Sequence, residues 1–317
     1  MQNVPTREAH VWHIPRAEEE RFLPEGPRVT EVTGRQAVTW VNIQTSVDAT
    51  TGELHAKFLD NGEHRKWALP GRPGFALPTD RDNVMLLGLG KEVGTFDLFS
   101  ETWTPIATIP DDNPRTIIND GEVEPGGNAV IFGTKDLNFA DPLAHLYLFT
   151  PKTGEVRVLA GGMVCSNGKV FRHGDLFDID TPTRKIVRYS LNAAMDALEA
   201  KGTAVDLSGV DGFPDGMTDR GDGTVIVAMY NPEPVPAGRA LRFDLETGKL
   251  LEAFATPGSP RVTCPLLFEH EGSAKLLLTT ATEGMPEGQR KQAPEAGCLF
   301  IADTGINAAP ASESVRL

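Results

Sequence analysis

The chain has 317 residues, 40% of them hydrophobic, with 32 Gly, 24 Pro and a formal net charge of -14. That length can bury a sizeable core, while the acidic balance excludes the basic footprint that nucleic acid or an anionic membrane surface requires. No apolar run approaches the roughly 18 residues of a membrane span, and the opening MQNVPTREAHVWHIPRAEEERF lacks a signal-peptide core; both observations point to a soluble, cytoplasmic protein.

Residues 1–21 form a polar leader, expected to pack on or lead into the first structural repeat. A strand-like run from Ala37 to Ile43 follows, then a turn with the signature T-G-E-L at Thr51 to Leu54. The signature returns at Lys152 to Val156 and at Glu246 to Leu250, with looser versions at Ser100 to Trp103 and Ala200 to Thr203. Short strands and tight turns recurring about every fifty residues mark the blades of a propeller, and 317 residues accommodate six of them. The expectation is therefore an all-β, six-bladed β-propeller with residues 1–317 in a single domain. One stretch departs from this pattern: Leu191 to Lys201, LNAAMDALEAK, is rich in helix formers with apolar spacing at Leu191, Met195 and Leu198, and predicts a short helix. The segment Val210 to Asn231, VDGFPDGMTDRGDGTVIVAMYN, predicts a buried strand over Thr224 to Tyr230, preceded by Asp215 in a tight Pro-Asp-Gly turn.

The smaller signals are mostly structural. Cys165, Cys264 and Cys298 are odd in number, far apart and free of metal spacing, and read as reduced, buried thiols of a cytoplasmic protein. Trp40, Trp67 and Trp103 fall in strand-like segments and read as core. The seven histidines do not cluster, apart from His10 and His13 in the leader, which read as surface residues. His145 and His173 read as packed or hydrogen-bonded side chains. No G-x-S-x-G elbow is present. Gly88 to Gly94 lacks the spacing of a dinucleotide loop, and Asp219 to Gly223 reads as a hairpin turn without the remaining ligands of a calcium loop.

Four segments share one grammar, a small polar or acidic residue beside glycine at the entry to a strand. They are Glu25 in LPEGP, Asn119 in IINDGEVEPGG, Asn167 in CSNGKVF and Asp215 in GFPDGM. They are separated by two repeats, one and one, which places equivalent oxygens at one height around an axis. Two carboxylates and two amides make an all-oxygen site suited to a hard divalent cation, Ca²⁺ first, with Mg²⁺, Mn²⁺, Zn²⁺ and iron as competitors. Recurrent hairpin turns rich in Asn-Gly and Asp-Gly produce the same spacing, so on spacing alone both readings stand.

The segments LPEGP, INDGEVEPGG, CSNG, GFPDGM and LLLTTATEGMPEGQRKQAPEAGCLFI, taken in order from about Leu23 to Gly305, resemble the successive motifs of the senescence-marker-protein, gluconolactonase and luciferin-regenerating-enzyme family. The resemblance implies a six-bladed propeller with one divalent cation on its axis and a lactonase site above it. Carried over by motif, Glu25, Asn167 and Asp215 are the implied metal ligands, Asn119 touches both metal and substrate, and Asp215 doubles as the acid/base group. Three positions depart from the family pattern. Val29 replaces a frequent Trp; Ile117 stands where members acting on sugar lactones carry Arg; and Asp136 is the nearest candidate for a further substrate-contacting acid. Arg115 shares a face of the extended segment with Ile117 and is expected to reach the substrate pocket, with Ile117 forming an apolar part of its wall.

The implied reaction is hydrolysis of a small cyclic ester such as a sugar lactone, with the cation stabilising the oxyanion and Asp215 moving the proton. Two alternatives keep the fold and the metal: another hydrolytic reaction, on an organophosphate or a cyclic ketone, or a calcium-binding regulatory role with weak catalysis. The expected partner is a small-molecule lactone, with neither nucleic acid nor membrane, and the protein is expected to be a monomer or a weak homo-oligomer.

Overall fold

A computed structural model describes residues 4–192 and 194–317. Its strands form six sheets radiating from one axis. Blade 1 holds β3 (Pro24–Val32), β4 (Arg35–Asn42), β5 (Glu53–Phe58) and β6 (His64–Ala68); blade 2 holds β7 (Pro73–Pro78), β8 (Val84–Leu89), β9 (Glu92–Asp97) and β10 (Thr102–Thr108). Blade 3 holds β11 (Thr116–Val123), β12 (Val130–Asp136), β13 (Ala144–Thr150) and β14 (Glu155–Met163); blade 4 holds β15 (Ser166–Arg172), β16 (Asp175–Asp180), β17 (Lys185–Leu191) and β18 (Leu198–Asp206). Blade 5 holds β19 (Phe213–Asp219), β20 (Thr224–Tyr230), β21 (Ala237–Asp244) and β22 (Leu250–Pro257), and blade 6 holds β23 (Val262–His270), β24 (Ser273–Thr280) and β25 (Leu299–Asp303). The six-bladed all-β propeller is the expected fold.

The leader does more than enter the first blade. Its β1 (Thr6–Glu8) pairs in parallel with β22 as a fifth strand of blade 5, and its β2 (His10–His13) pairs antiparallel with β25 as the outer strand of blade 6. Strands from opposite ends of the chain thus complete one sheet and close the ring.

Each blade is apolar on both faces because it is covered by a neighbour on each side. In β20, Val225 and Val227 join a cluster shared with blade 4, while the alternating Ile226 and Ala228 join one shared with blade 6. This period-2 division explains why β20 reads as a continuous apolar run. Among the described residues the buried apolar side chains fall into six such clusters, one per seam between blades.

Three expectations are corrected here. The turn-signature marks have the right period but not one phase. Gly154 and Gly248 turn the chain from third to fourth strand, whereas Gly52 precedes a third strand and Gly202 lies inside β18 at a register shift. The expected helix over Leu191 to Lys201 is instead the end of one hairpin. Leu191 pairs with Leu198 across β17 and β18, and both pack with Met195 on the seam between blades 3 and 4; Ala193 lies outside the described residues. Packing on the blade overrides helix propensity here. The α-helix among the described residues is Glu287–Gln292.

The third correction concerns histidine. His13 is buried, and its ring lies 5.2 Å from Trp40 and 4.7 Å from His64. His64 in turn shares a 3.0 Å hydrogen bond with His55. These three histidines form a stack sealing the seam between blades 6 and 1, and burial, then the neighbouring His64, pushes the His13 pKa down to about 3. Trp40 and Trp67 are core as expected, and Trp103 is partly buried against the seam between blades 1 and 2. The three cysteines are free and buried. No helix among the described residues is long and apolar enough to cross a membrane.

Candidate metal centre and substrate cavity

The innermost strands are β3, β7, β11, β15, β19 and β23, and each breaks register at the same height. On β3 the pairing skips from Glu25 to Arg28, on β7 from Pro73 to Phe75, and on β11 from Ile118 to Gly121. On β15 it skips from Asn167 to Lys169, on β19 from Pro214 to Met217, and on β23 from Val262 to Pro265. A bulge bends its strand and re-aims a side chain, so six aligned bulges form a ring around the axis. The residue–glycine pairs that read as turns are these bulges: Asp215 lies inside β19, not in a loop before a hairpin. Glycine is required where bulges meet. A Cβ on Gly74 would lie 2.1 Å from the carbonyl oxygen of Asn119, and one on Gly168 would lie 2.7 Å from that of Asp215.

The ring opens into a cavity of about 560 Å³, whose lining includes Glu25, Asn119, Asn167 and Asp215. The structure therefore brings all four sequence-predicted residues together. Asn119 is 5% exposed and its Nδ2 donates to the Ser166 carbonyl and to Asn167 Oδ1, both at 2.9 Å. Both N–H groups are thus spent, which leaves its Oδ1 available to the cavity. Asn167 Nδ2 donates to Thr181 Oγ1 at 2.8 Å, and Thr181 Oγ1 donates to the Pro214 carbonyl at 2.9 Å. This relay ties blades 3, 4 and 5 together at the ring and fixes the orientation of both amides.

The acids are less balanced. Glu25, Asp120, Asp215 and Glu283 line the cavity, and none of them forms an ion pair among the described residues. Glu25 Oε2 accepts from the Gly26 amide at 2.8 Å. Burial, then the charge of Asp120, still pushes its carboxyl up to about 8, and burial, then the charge of Glu25, raises Asp215 well above the ordinary carboxylate range. Carboxylates that repel one another in a dry site are stabilised by a cation placed between them. Two carboxylates with two amide oxygens fit a hard divalent cation, and Glu25, Asp215, Asn167 and Asn119 would hold it. Among the described residues no three His, Cys, Asp or Glu side chains converge on one point; the donor set relies on the amides.

Arg115 and Ile117 do not line the cavity. The Arg115 guanidinium donates to Asp136 at 3.1 and 2.7 Å and pairs with Asp141 at 2.8 Å, so it is drawn away from the axis. Asp136 is fully buried and also accepts from the amides of Asn138, Ala140 and Asp141. It organises the 136–141 loop instead of contacting a substrate. Ile117 is buried beside β12, where Lys135 is its cross-strand partner.

Sequence reasoning missed Asp120, Lys135, Thr181, Tyr230 and Glu283 on the cavity wall. Asp120 directly follows Asn119, and Lys135 directly follows the G-T of the third repeat, so both stood beside motifs already singled out. Thr181 and Tyr230 lie outside the inner strands, and no sequence pattern marks them.

A family model described as SMP-30/Gluconolactonase/LRE-like region matches residues 23–282. YvrE of Bacillus subtilis, whose name proposes a sugar lactone lactonase, is 30% identical over 289 residues, 90% of this chain and 92% of its own. The L-arabinolactonase of Azospirillum brasilense is 26% identical over 276 residues, 85% of each chain. The crystal structure of a calcium-binding protein, regucalcin, from Agrobacterium tumefaciens matches with a TM-score of 0.83 at 22% identity, over 99% of both chains.

Proposed function

Because the chain belongs to the SMP-30/gluconolactonase/LRE-like family, we propose that it is a divalent-metal-dependent lactonase whose reaction takes place in the axial cavity. The observation that carries this reading is the pair Glu25 and Asp215, two carboxylates on one cavity wall with no base to pair them. The lactonase names of two relatives support the reaction class, and the ring of aligned bulges supports a fixed site.

When bound, the cation, with calcium the first candidate, supplies Lewis-acid polarisation of the lactone carbonyl. The rest of the work falls to the chain. Glu25, Asn167 and Asp215 would hold the cation, and Asn119, its amide nitrogen anchored on Asn167 and Ser166, would offer its Oδ1 to metal and substrate. Asp215 takes the proton of the attacking water and returns it to the ring oxygen as the ester C–O bond breaks. Leu23, Ile43, Phe213 and Tyr230 line the same cavity and limit the water around the reacting ring.

The test is hydrolysis of glucono-δ-lactone, an arabinono-lactone and a non-sugar γ-lactone by chelator-stripped protein, with Ca²⁺, Mg²⁺, Mn²⁺, Zn²⁺ or Fe²⁺ restored singly. Turnover that vanishes on stripping and returns with one of these cations is expected. Metal binding measured by calorimetry with no lactone opened would remove the lactonase reading and leave a cation-binding propeller.

A further inference from the structure

Lys135 is the one Lys or Arg among the described residues lining the axial cavity. Its residue is 9% exposed, yet its ammonium has neither a hydrogen bond nor an ion pair among the described residues. Its contact is with the ring of Phe139, at 5.7 Å from the centroid. Phe139 is 52% exposed, so this contact holds the ammonium toward the mouth instead of down on the bulge ring. Backbone pairing fixes the stem: Lys135 is bridged to Cys165 of the next blade on one side and paired with Ile117 on the other.

An ammonium at the end of a largely buried side chain, opening on a confined cavity with no partner in contact, is poorly compensated. In the metal-free site the carboxylates of Glu25 and Asp215 share the cavity with Lys135 and compensate its charge across space, without an ion pair. A divalent cation between those carboxylates cancels that compensation and leaves the ammonium facing an apolar mouth of Leu137, Phe139, Phe213 and Tyr230. Of the two remaining acids, Asp120 holds the Gly121 amide through Oδ1 at 2.8 Å, and neither Asp120 nor Glu283 approaches Lys135 as an ion pair. The partner then has to arrive with the ligand.

Resting on the lactonase reading above, we propose that Lys135 anchors an anionic substituent, so that this site selects lactones bearing a carboxylate on the ring over neutral ones. The ring lies over the donor ring of Glu25, Asn119, Asn167 and Asp215 while its carboxylate reaches the ammonium near the mouth. The apolar wall keeps that pair dry and therefore strong.

The experiment compares 5-oxotetrahydrofuran-2-carboxylate with its neutral carboxamide, the same ring at nearly the same size, on cation-restored wild type and on Lys135→Met. One charge-assisted contact predicts a kcat/KM about thirtyfold higher for the carboxylate in wild type. In Lys135→Met the carboxylate should fall to the level of the carboxamide, mainly through KM, while the carboxamide stays within about threefold of its wild-type value. Equal use of both lactones by wild type overturns the proposal and leaves the lactonase reading standing. So does an equal loss of kcat on both lactones in the variant, which would assign Lys135 to the chemistry itself.

If neither of these two lactones opens, the lactonase reading is decided by the wider panel above, and calorimetry of the ring-opened 2-hydroxyglutarate decides the anion site separately. Binding to calcium-loaded wild type that weakens about tenfold or more in Lys135→Met supports it. Absent or unchanged binding overturns it. Near-ultraviolet circular dichroism checks that the variant is folded, and Lys135→Arg, which keeps the charge, should restore most of the preference.

Discussion

Toward the far end of the axis, along the same inner strands, Arg28 meets Glu122 at 3.0 Å, Lys169 meets Asp178 at 3.4 Å and Arg172 meets Asp219 at 3.3 Å. At the mouth, Glu25, Asp120 and Asp215 form no ion pair among the described residues, and Lys135 is the one base sharing their cavity. The two ends share strands, burial and acidic residues; only the pairing differs. Lys169 and Asp178 are fully buried, and burial pushes the Asp178 carboxyl up to about 7 even with its partner present. A fold that supplies a base to each of these acids at one end and to none at the other leaves the second end to a counter-charge from solution. The far end is internal structure, and on the proposed reading the mouth is a receptor.

The largest break in this contrast comes from Asp215→Asn. If the mouth acid is the proton carrier, kcat should fall by roughly 10³ or more with the fold intact by circular dichroism. Near-normal turnover with metal bound would sink the assignment. Next in size is Lys169→Met at the far end, which strands a buried Asp178. Urea unfolding should show a loss of about 3–5 kcal/mol, and adding Asp178→Leu should recover most of it. Equal stability of single and double variants would show that the pair is not the unit.

The smallest effect sharpens the comparison by pH. Glu25 has a folded pKa near 8 against an ordinary 4.5, so between those values the folded protein holds a proton that the unfolded chain has lost. In chelator-stripped protein this contribution is fully present below about pH 4.5 and is lost as pH rises toward 8, at up to about 1 kcal/mol per pH unit. The increase in melting temperature on adding Ca²⁺ should therefore grow from pH 5 to pH 8. Glu25→Gln should raise the stability of the stripped protein at pH 8 by up to a few kcal/mol, read as a rise of several degrees in melting temperature, and remove the calcium response. A calcium increment that is flat across pH would show that the mouth acids do not behave as a repelling pair.

Much of this was legible in the sequence because the repeat carries it. Glu25, Asn119, Asn167 and Asp215 occupy the same bulge of different blades, so their spacing aligns them. What spacing could not show was that these glycine pairs are bulges inside strands, because a bulge and a turn use the same residues. Lys135 escaped notice because it lies on a second strand, where it enters the cavity only through pairing with β11 and the bridge to Cys165. His13, His55 and His64 were read as scattered because, although β5 and β6 pair within blade 1, β2 reaches them only across the seam that ring closure makes. Arg115 misled for a different reason. It was expected to share a face with Ile117 and reach the pocket, but it lies in the turn before β11, where the Asp136 side chain from β12 captures it.

The pairing of β2 with β25 also sets a schedule. Leu299–Asp303 must leave the ribosome before the sixth sheet can be completed, and until then the Val38 and Trp40 face of blade 1 lacks the Leu299 and Ile301 part of its cover. Such long-range closure is slow compared with the hairpins that precede it. Glu25 and Asp215 belong to blades separated by that last sheet, so the proposed cation site is finished late in the chain's own birth. A calcium-sensing probe should then lag behind β-sheet formation during refolding, timing the moment when the ring shuts.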